Sequence, residues 1–128
     1  MKNKFFYRIF DDIKGQPATL FHGVDGSRKL PMDTWIEAEI KPVTDGSGVT
    51  VYQSGFHVLP RLEDVIEFLK KFTYLENRVI SKVEIDSEAG IWPKLHSKSP
   101  IVLAKRMRIR KTHWNKRIPA NLLHPDGR

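Results

Sequence analysis

Two runs in the second half of the chain alternate apolar and polar side chains, the pattern of strands that bury one face. One face of residues 78–86 carries Val79, Ser81, Val83 and Ile85, and the other carries Ile80, Lys82, Glu84 and Asp86. One face of residues 101–110 carries Ile101, Leu103, Met107 and Ile109, and the other carries Val102, Ala104, Arg106, Arg108 and Arg110. Such a chain needs a sheet to pair its backbone and a second layer to cover the apolar face.

The stretch 60–72 is the best candidate for that covering layer. Pro60 suits the first helical position. Apolar residues then recur at i, i+3, i+4 and i+7, in Leu62, Val65, Ile66 and Leu69. Shorter apolar runs predict strands over 4–10, 18–24, 35–40 and 49–52, with turns at Asp11-Asp12 and Gly15-Gln16-Pro17. The pattern therefore predicts an α+β fold, a mostly antiparallel sheet with one main helix (about 60–72) packed on it.

Length and composition narrow the class further. At 128 residues the chain fits one domain. The absence of cysteine excludes disulfide scaffolds, thiolate zinc sites, iron–sulfur clusters and thiol nucleophiles. No run of about 18 apolar residues occurs, and Arg8 interrupts the N-terminal apolar run short of a secretory signal. We therefore expect a cytoplasmic protein with no membrane segment.

The charge of the chain is concentrated at one end. Residues 1–100 contain equal numbers of basic and acidic side chains, 14 of each, so the formal charge of +7 resides in residues 101–128. This asymmetry predicts an α+β domain over 1–110 followed by a basic C-terminal tail over 111–128. A neutral body with a basic end is typical of a protein with one surface for a polyanion.

Arginines at alternate positions are the most specific feature of the basic segment. On a strand, Arg106, Arg108 and Arg110 project to one side about 7 Å apart, a spacing that suits phosphate contacts. The predicted nucleic-acid-binding set is Arg106, Arg108, Arg110, Lys111, Trp114, Lys116 and Arg117, with the Trp114 indole stacking on a base. Two alternatives stay open: the arginines pair with Glu84 and Asp86 on a neighbouring strand, and Trp114 caps the core.

Motifs for metal or nucleotide chemistry are missing. None of the five histidines has the spacing of a metal site, so we predict no metal. The chain also lacks a Walker A motif, a G-x-G-x-x-G motif and a G-x-S-x-G motif. The residues on their own therefore predict no cofactor.

The order of three segments resembles small ADP-ribosyltransferases of the rifamycin-modifying type. These segments are Phe21-His22-Gly23, Tyr52-Gln53-Ser54-Gly55-Phe56-His57 before the helix, and Val83-Glu84-Ile85-Asp86 at a strand end. The resemblance implies that NAD is the cofactor and that His22 holds the nicotinamide ribose. It also implies that His57 packs on the nicotinamide and that Glu84 or Asp86 orients the nucleophile.

A second, local resemblance covers residues 50–86. The run Ser54-Gly55-Phe56-His57, followed by Pro60 and a short helix, is similar to a phage and prophage domain of unknown function. This resemblance implies a viral or mobile-element origin, and hence the host cytoplasm as location, without implying a reaction. Physically, Ser54-Gly55 favours a bend or bulge, after which Phe56 and His57 point to opposite faces.

Together these features predict a small basic protein that binds nucleic acid or a nucleoprotein complex through its C-terminal strand and tail. The first alternative is an ADP-ribosyltransferase-like enzyme that uses NAD at His22, His57 and Glu84. The second is a protein-binding module directed at an acidic host protein.

Overall fold

The two alternating runs form strands of one sheet, as the sequence predicts, and they are neighbours at its centre. The computed structural model describes residues 4–19, 28–38, 42–44, 51–53, 55–70, 75–91 and 101–123. The strands are β1 (Lys4–Ile13), β2 (Gln16–Ala18), β3 (Trp35–Glu37), β4 (Pro42–Thr44), β5 (Val51–Gln53), β6 (Phe56–Val58), β7 (Arg78–Ile91), β8 (Val102–Arg108) and β9 (Ile118–Pro119). The helices are α1 (Leu62–Leu69), α2 (Lys111–Trp114) and α3 (Ala120–Leu123).

The main sheet is antiparallel, runs in the order β2-β1-β7-β8-β3 and curls back on itself. Strand β6 pairs with β8 on the same side as β3. Leu59, which follows β6, exchanges two backbone hydrogen bonds of 2.8 Å with Tyr7 of β1. The segment after β6 therefore links β8 to β1 and closes the sheet. The α+β class with a mostly antiparallel sheet is confirmed.

Closure gives the sheet an inner and an outer face, each with its own apolar cluster. The inner cluster is made of Phe6, Phe10, Leu30, Val58, Val79, Val83, Ile85, Val102, Ala104, Met107, Ile109 and Trp114. The outer cluster is made of Ile9, Leu59, Val65, Leu69, Ile80, Ile101 and Ala120, with α1 and α3 contributing its helical members. The helices cover only part of the outer face. Phe5, at the other end of β1, remains 48% exposed.

Irregular pairing between β7 and β8 decides which side chains of β8 face inward. Arg106 lies opposite Ser87 and Ala104 lies opposite Glu88, which leaves Lys105 without a partner residue on β7. An extra residue in one strand moves every later side chain to the other face. Ala104 therefore joins the inner cluster, and the prediction from simple alternation that it shares the arginine face is wrong.

Strand β1 is longer than predicted. Asp11 and Asp12 pair with β2 instead of ending the strand. The chain reverses at Lys14 and Gly15, where φ is positive (54° and 83°), and the Asp12 carboxylate accepts the Gly15 N–H at 2.8 Å. Most of the strand predicted over 18–24 lies outside the described residues.

Helix α1 is shorter than the predicted 60–72 and buries a narrower stripe; residues 71–74 lie outside the described part of the chain. Val65 and Leu69 are fully buried in the outer cluster, and Leu62 packs against it. Ile66 is only half-buried and is not part of that cluster. The prediction that Ile66 is a core residue is therefore wrong.

We expect Leu69→Ala to lower the free energy of unfolding by about 2–5 kcal/mol, because it removes fully buried methyl groups and leaves a cavity. Ile66→Ala on the same helix is the matched control and should cost less than half as much. Urea denaturation followed by circular dichroism measures both. Equal losses would contradict the assignment of the buried stripe.

Residues 111–123, the described part of the predicted basic tail (111–128), are folded onto the sheet. Trp114 of α2 is 1% exposed, and β9 pairs with Val79 and Ile80 of β7. Ala120, at the start of α3, is fully buried. The sheet thus holds residues 111–120 in place.

Arg8 occupies the inner face between Phe6 and Phe10. Its guanidinium lies 5.4 Å from the Phe10 ring centroid and 5.5 Å from that of Phe56, and its Nη1 donates to the His57 carbonyl at 3.0 Å. Burial lowers the pKa of Arg8 to about 10. The two aromatic rings and the carbonyl stabilise this half-buried cation.

Candidate nucleic-acid interface

The uncovered part of the outer face brings aromatic and basic side chains together across four strands. Phe5 of β1 lies opposite Glu84 of β7, Glu84 lies opposite Arg108 of β8, and Arg108 lies opposite Trp35 of β3. Because neighbouring strands are about 4.8 Å apart, this row spans about 14 Å. The row and its neighbours Tyr7, Lys82, Arg106 and Arg110 are called the binding face below.

Phe5 is the exposed aromatic end of the binding face. Its ring is approached by the Lys82 ammonium, 5.8 Å from the centroid, and edge-on by the His113 imidazole at 5.4 Å. Exposing a large apolar ring to water is unfavourable. An exposed aromatic ring beside a lysine offers a stacking surface for a nucleobase next to a positive charge for its phosphate.

Trp35 is the opposite end of the row and lies under two arginines. The guanidinium carbons of Arg106 and Arg108 are 4.9 Å and 4.6 Å from its ring centroid. Planar guanidinium groups stack on indole rings and keep N–H donors free at their edges. This contact orients both arginines along the sheet.

Glu84 fixes the arginine ridge from within the sheet. This carboxylate is 3% exposed and its Oε1 accepts hydrogen bonds from Arg108 Nε at 2.8 Å and from Arg110 Nε at 2.9 Å. The hydrogen bond to Glu84 raises the pKa of Arg108. The alternative that the arginines pair with neighbouring acids is confirmed, since Arg106 also lies 3.1 Å from Asp86. One carboxylate shared by two guanidinium groups still leaves a net positive charge.

The remaining predicted basic residues separate into two kinds. Lys111 and Lys116 are exposed on and just after α2. Arg117 instead donates to the Asp12 carboxylate at 2.8 Å and lies over the Trp114 ring at 4.8 Å. Arg117 is therefore largely neutralised, and its contacts fix the C-terminal segment to the end of β1.

Trp114 does not present its ring to a base. It is buried in the inner cluster, meets Phe10 edge-to-face at 5.8 Å and donates its indole N–H to the Gly15 carbonyl at 2.8 Å. The prediction that Trp114 stacks on a nucleobase is wrong, because the ring is enclosed; the alternative that it caps the core holds.

His113 stands beside Phe5 at the border between the binding face and the helices. Burial lowers the pKa of this imidazole, and the positive charges of Lys82, Arg110 and Lys116 lower it further. Its Nδ1 is buried, and no described residue forms a hydrogen bond with it. The neutral form therefore prevails at pH 7.

The residues carried over from the ADP-ribosyltransferase resemblance are not seen together. His22 lies outside the described residues. His57 lies opposite Leu103 on one side of β8, and Glu84 lies opposite Arg108 on the other side. The carboxylate of Glu84 is engaged by two arginines, and the NAD hypothesis stays a prediction that a thermal shift with NAD would test.

Steric crowding explains why residue 55, in the run that is similar to the phage domain, is a glycine. A Cβ built there lies 3.0 Å from the Ala104 carbonyl oxygen and 3.2 Å from Leu103 Cβ. Glycine thus allows β6 to approach β8 closely as it begins. Phe56 then packs against the inner cluster.

Sequence reasoning missed Phe5, Tyr7, Trp35 and Lys82. Alternation along β1 carries the signal for the first two, since Phe6 and Phe10 face inward and Phe5 and Tyr7 must then face outward. Trp35 had no such signal, because its place beside the arginines depends on pairing between β3 and β8.

Comparison of the chain with protein-family models, curated proteins and solved structures found no match. No helix among the described residues is both long and apolar enough to span a membrane. In the same part of the chain, no three His, Asp or Glu side chains are grouped so as to hold a metal ion. The function is therefore argued from the geometry of the binding face.

Proposed function

We propose that the protein binds single-stranded nucleic acid on its binding face. The observation that carries this proposal is the row across β1, β7, β8 and β3, with an aromatic ring at each end and Arg108 between them. This proposal keeps the partner predicted from the basic segment and replaces Trp114 by Phe5 as the base-stacking residue, while Trp35 holds Arg106 and Arg108 in place.

Stacking on exposed rings favours single strands over duplex. An aromatic side chain contributes about 1–3 kcal/mol per stacked base, and every base offers a π-face. In a duplex those faces are already stacked on neighbouring bases. We therefore expect weak sequence preference together with a clear preference for single strands.

Phosphate neutralisation comes from the basic groups that lack a full counter-charge. Lys82, Lys111 and Lys116 form no ion pair within the described part of the chain, and Arg108 and Arg110 share one carboxylate. Arg106 and Arg117 contribute less, because Asp86 and Asp12 already neutralise them. Binding to such a surface weakens steeply with salt.

We expect Phe5→Ala to weaken binding to a short fluorescein-labelled oligothymidine about 5- to 100-fold, the loss of one stacked base. Leu122→Ala is the matched control, because Leu122 is an exposed apolar residue, 71% exposed, on α3 outside the binding face. Fluorescence anisotropy at two salt concentrations gives both affinities, and a duplex of the same length gives the strand preference.

Three results would overturn the proposal. They are no binding of wild-type protein to any strand at low salt, equal affinity of Phe5→Ala and Leu122→Ala, and preference for duplex. The first result would favour the alternative of an acidic protein partner, which can be tested on the same variants.

A further inference from the structure

A cleft of about 290 Å³ opens at the border of the binding face, where α1 and the C-terminal segment meet β1 and β7. Its apolar wall is formed by Leu62, Ile80 and Ile118. Tyr7 and Lys82 line it from the sheet, so the cleft is continuous with the binding face. Its volume is close to the lower end of the range for small-molecule sites, about 300 Å³.

The polar wall of the cleft is basic and lacks a counter-charge. Lys82, His113 and Lys116 line it, and no carboxylate from the described residues does. Neither lysine lies within ion-pair distance of an acid in the described residues, and the nearby Glu84 is engaged by two arginines. The cleft therefore favours an anion.

His113 lines the cleft beside the two lysines. Its Nδ1 is enclosed and has no hydrogen-bond partner among the described residues. Burying a polar nitrogen without a hydrogen-bond partner costs the free energy of its lost hydration, and such atoms are rare in native proteins. This enclosed atom does not open into the cleft, so the preference of the cleft for an anion comes from Lys82 and Lys116.

We propose that the cleft binds one nucleotide that ends in a phosphomonoester, with the phosphate between Lys82 and Lys116 and the base against Tyr7 and the apolar wall. Two sources share this chemistry: the phosphorylated end of a strand lying on the binding face, and a free nucleoside monophosphate. For the strand end, the inference rests on the proposed function; for the free nucleotide, it stands alone.

Isothermal titration with adenosine 5′-monophosphate tests the cleft directly. We expect this probe to bind at least tenfold more tightly than adenosine or inorganic phosphate, because only the intact molecule uses both walls. Lys116→Gln should weaken binding at least fivefold. Lys105→Gln, which removes the same charge at an exposed position of β8 outside the cleft, should leave it unchanged. Thermal melts of both variants check that the fold is kept.

Oligothymidines that carry a 5′-phosphate, a 3′-phosphate or no terminal phosphate separate the two sources. A preference for one phosphorylated end that Lys116→Gln abolishes supports the strand end as ligand. Binding of adenosine monophosphate without binding of any strand supports the free nucleotide and overturns the proposed function alone. If strands bind regardless of their ends and adenosine monophosphate does not bind, the cleft proposal is wrong and the proposed function stands. Equal weakening of adenosine monophosphate binding by Lys116→Gln and Lys105→Gln would also overturn the cleft proposal.

Discussion

Trp114→Ala should lower the free energy of unfolding by about 3–5 kcal/mol, the range for truncating a buried aromatic residue. The ring is 1% exposed, packs against Phe10 and donates its N–H to the Gly15 carbonyl, so the substitution removes both packing and a hydrogen bond. Because a domain of this size is stable by only about 5–15 kcal/mol, the loss is a large fraction of the total and should lower the melting temperature clearly.

The two described tryptophans provide a matched comparison. Trp35→Ala removes a half-exposed ring from the binding face and should lose less than half as much stability, while weakening single-strand binding. Trp114→Ala should lose more stability, and its folded fraction should bind the single strand as tightly as wild type. Urea denaturation and fluorescence anisotropy on the same preparations measure both. Loss of binding by Trp114→Ala with unchanged stability would contradict the buried placement of this ring.

Glu84→Gln should destabilise the fold by about 2–4 kcal/mol. The carboxylate is buried and accepts three hydrogen bonds from two arginines, at 2.8 Å, 2.9 Å and 3.4 Å. Hydrogen bonds to charged groups are each worth about 1.5–3 kcal/mol, and removing one partner of a buried ion pair costs about 3–5 kcal/mol. The partial exposure of Arg108 and Arg110 moderates the loss, because both guanidinium groups can regain water.

Asp86→Asn is the control for Glu84→Gln. It breaks the ion pair with Arg106, in which both side chains are partly exposed, and should cost about 1 kcal/mol or less. Glu84→Gln also removes one negative charge from the binding face, so its folded form should bind oligothymidine at least as tightly as wild type. Equal stability losses, or weaker binding by folded Glu84→Gln, would contradict this role of Glu84.

Local patterns in the sequence predict the sheet strands well where burial repeats every second residue. Strand β7 has that repeat, and its inward side chains Val79 and Val83 lie in the inner cluster as expected. In β8 the predicted repeat holds for Met107, whereas the irregular pairing at Lys105 places Val102 in the inner cluster, opposite to the prediction. Helix α1 follows from its apolar stripe. Which residues of the stripe are fully buried depends on contacts with Ile9 and Ile80, which come from distant strands. The sequence therefore does not distinguish Leu69 from Ile66.

The binding face and the place of Trp114 depend on contacts between residues far apart in the chain. Trp114 is buried because its indole reaches Gly15, 99 residues away. Phe5 and Trp35 share one row only because both β7 and β8 lie between their strands in one register. Composition located the basic segment correctly but did not show that Glu84, Asp86 and Asp12 pair with four of its arginines.

The most direct test of the account is a titration of isotopically labelled protein with oligothymidine, followed by backbone amide shifts at low salt. We predict that the shifts cluster at Phe5, Tyr7, Trp35, Lys82 and Arg108, that the amides of α1 near Leu69 stay unchanged, and that added salt reverses the shifts. No shifts at saturating oligonucleotide, or shifts confined to residues outside the binding face, would contradict the proposal that this face binds single-stranded nucleic acid.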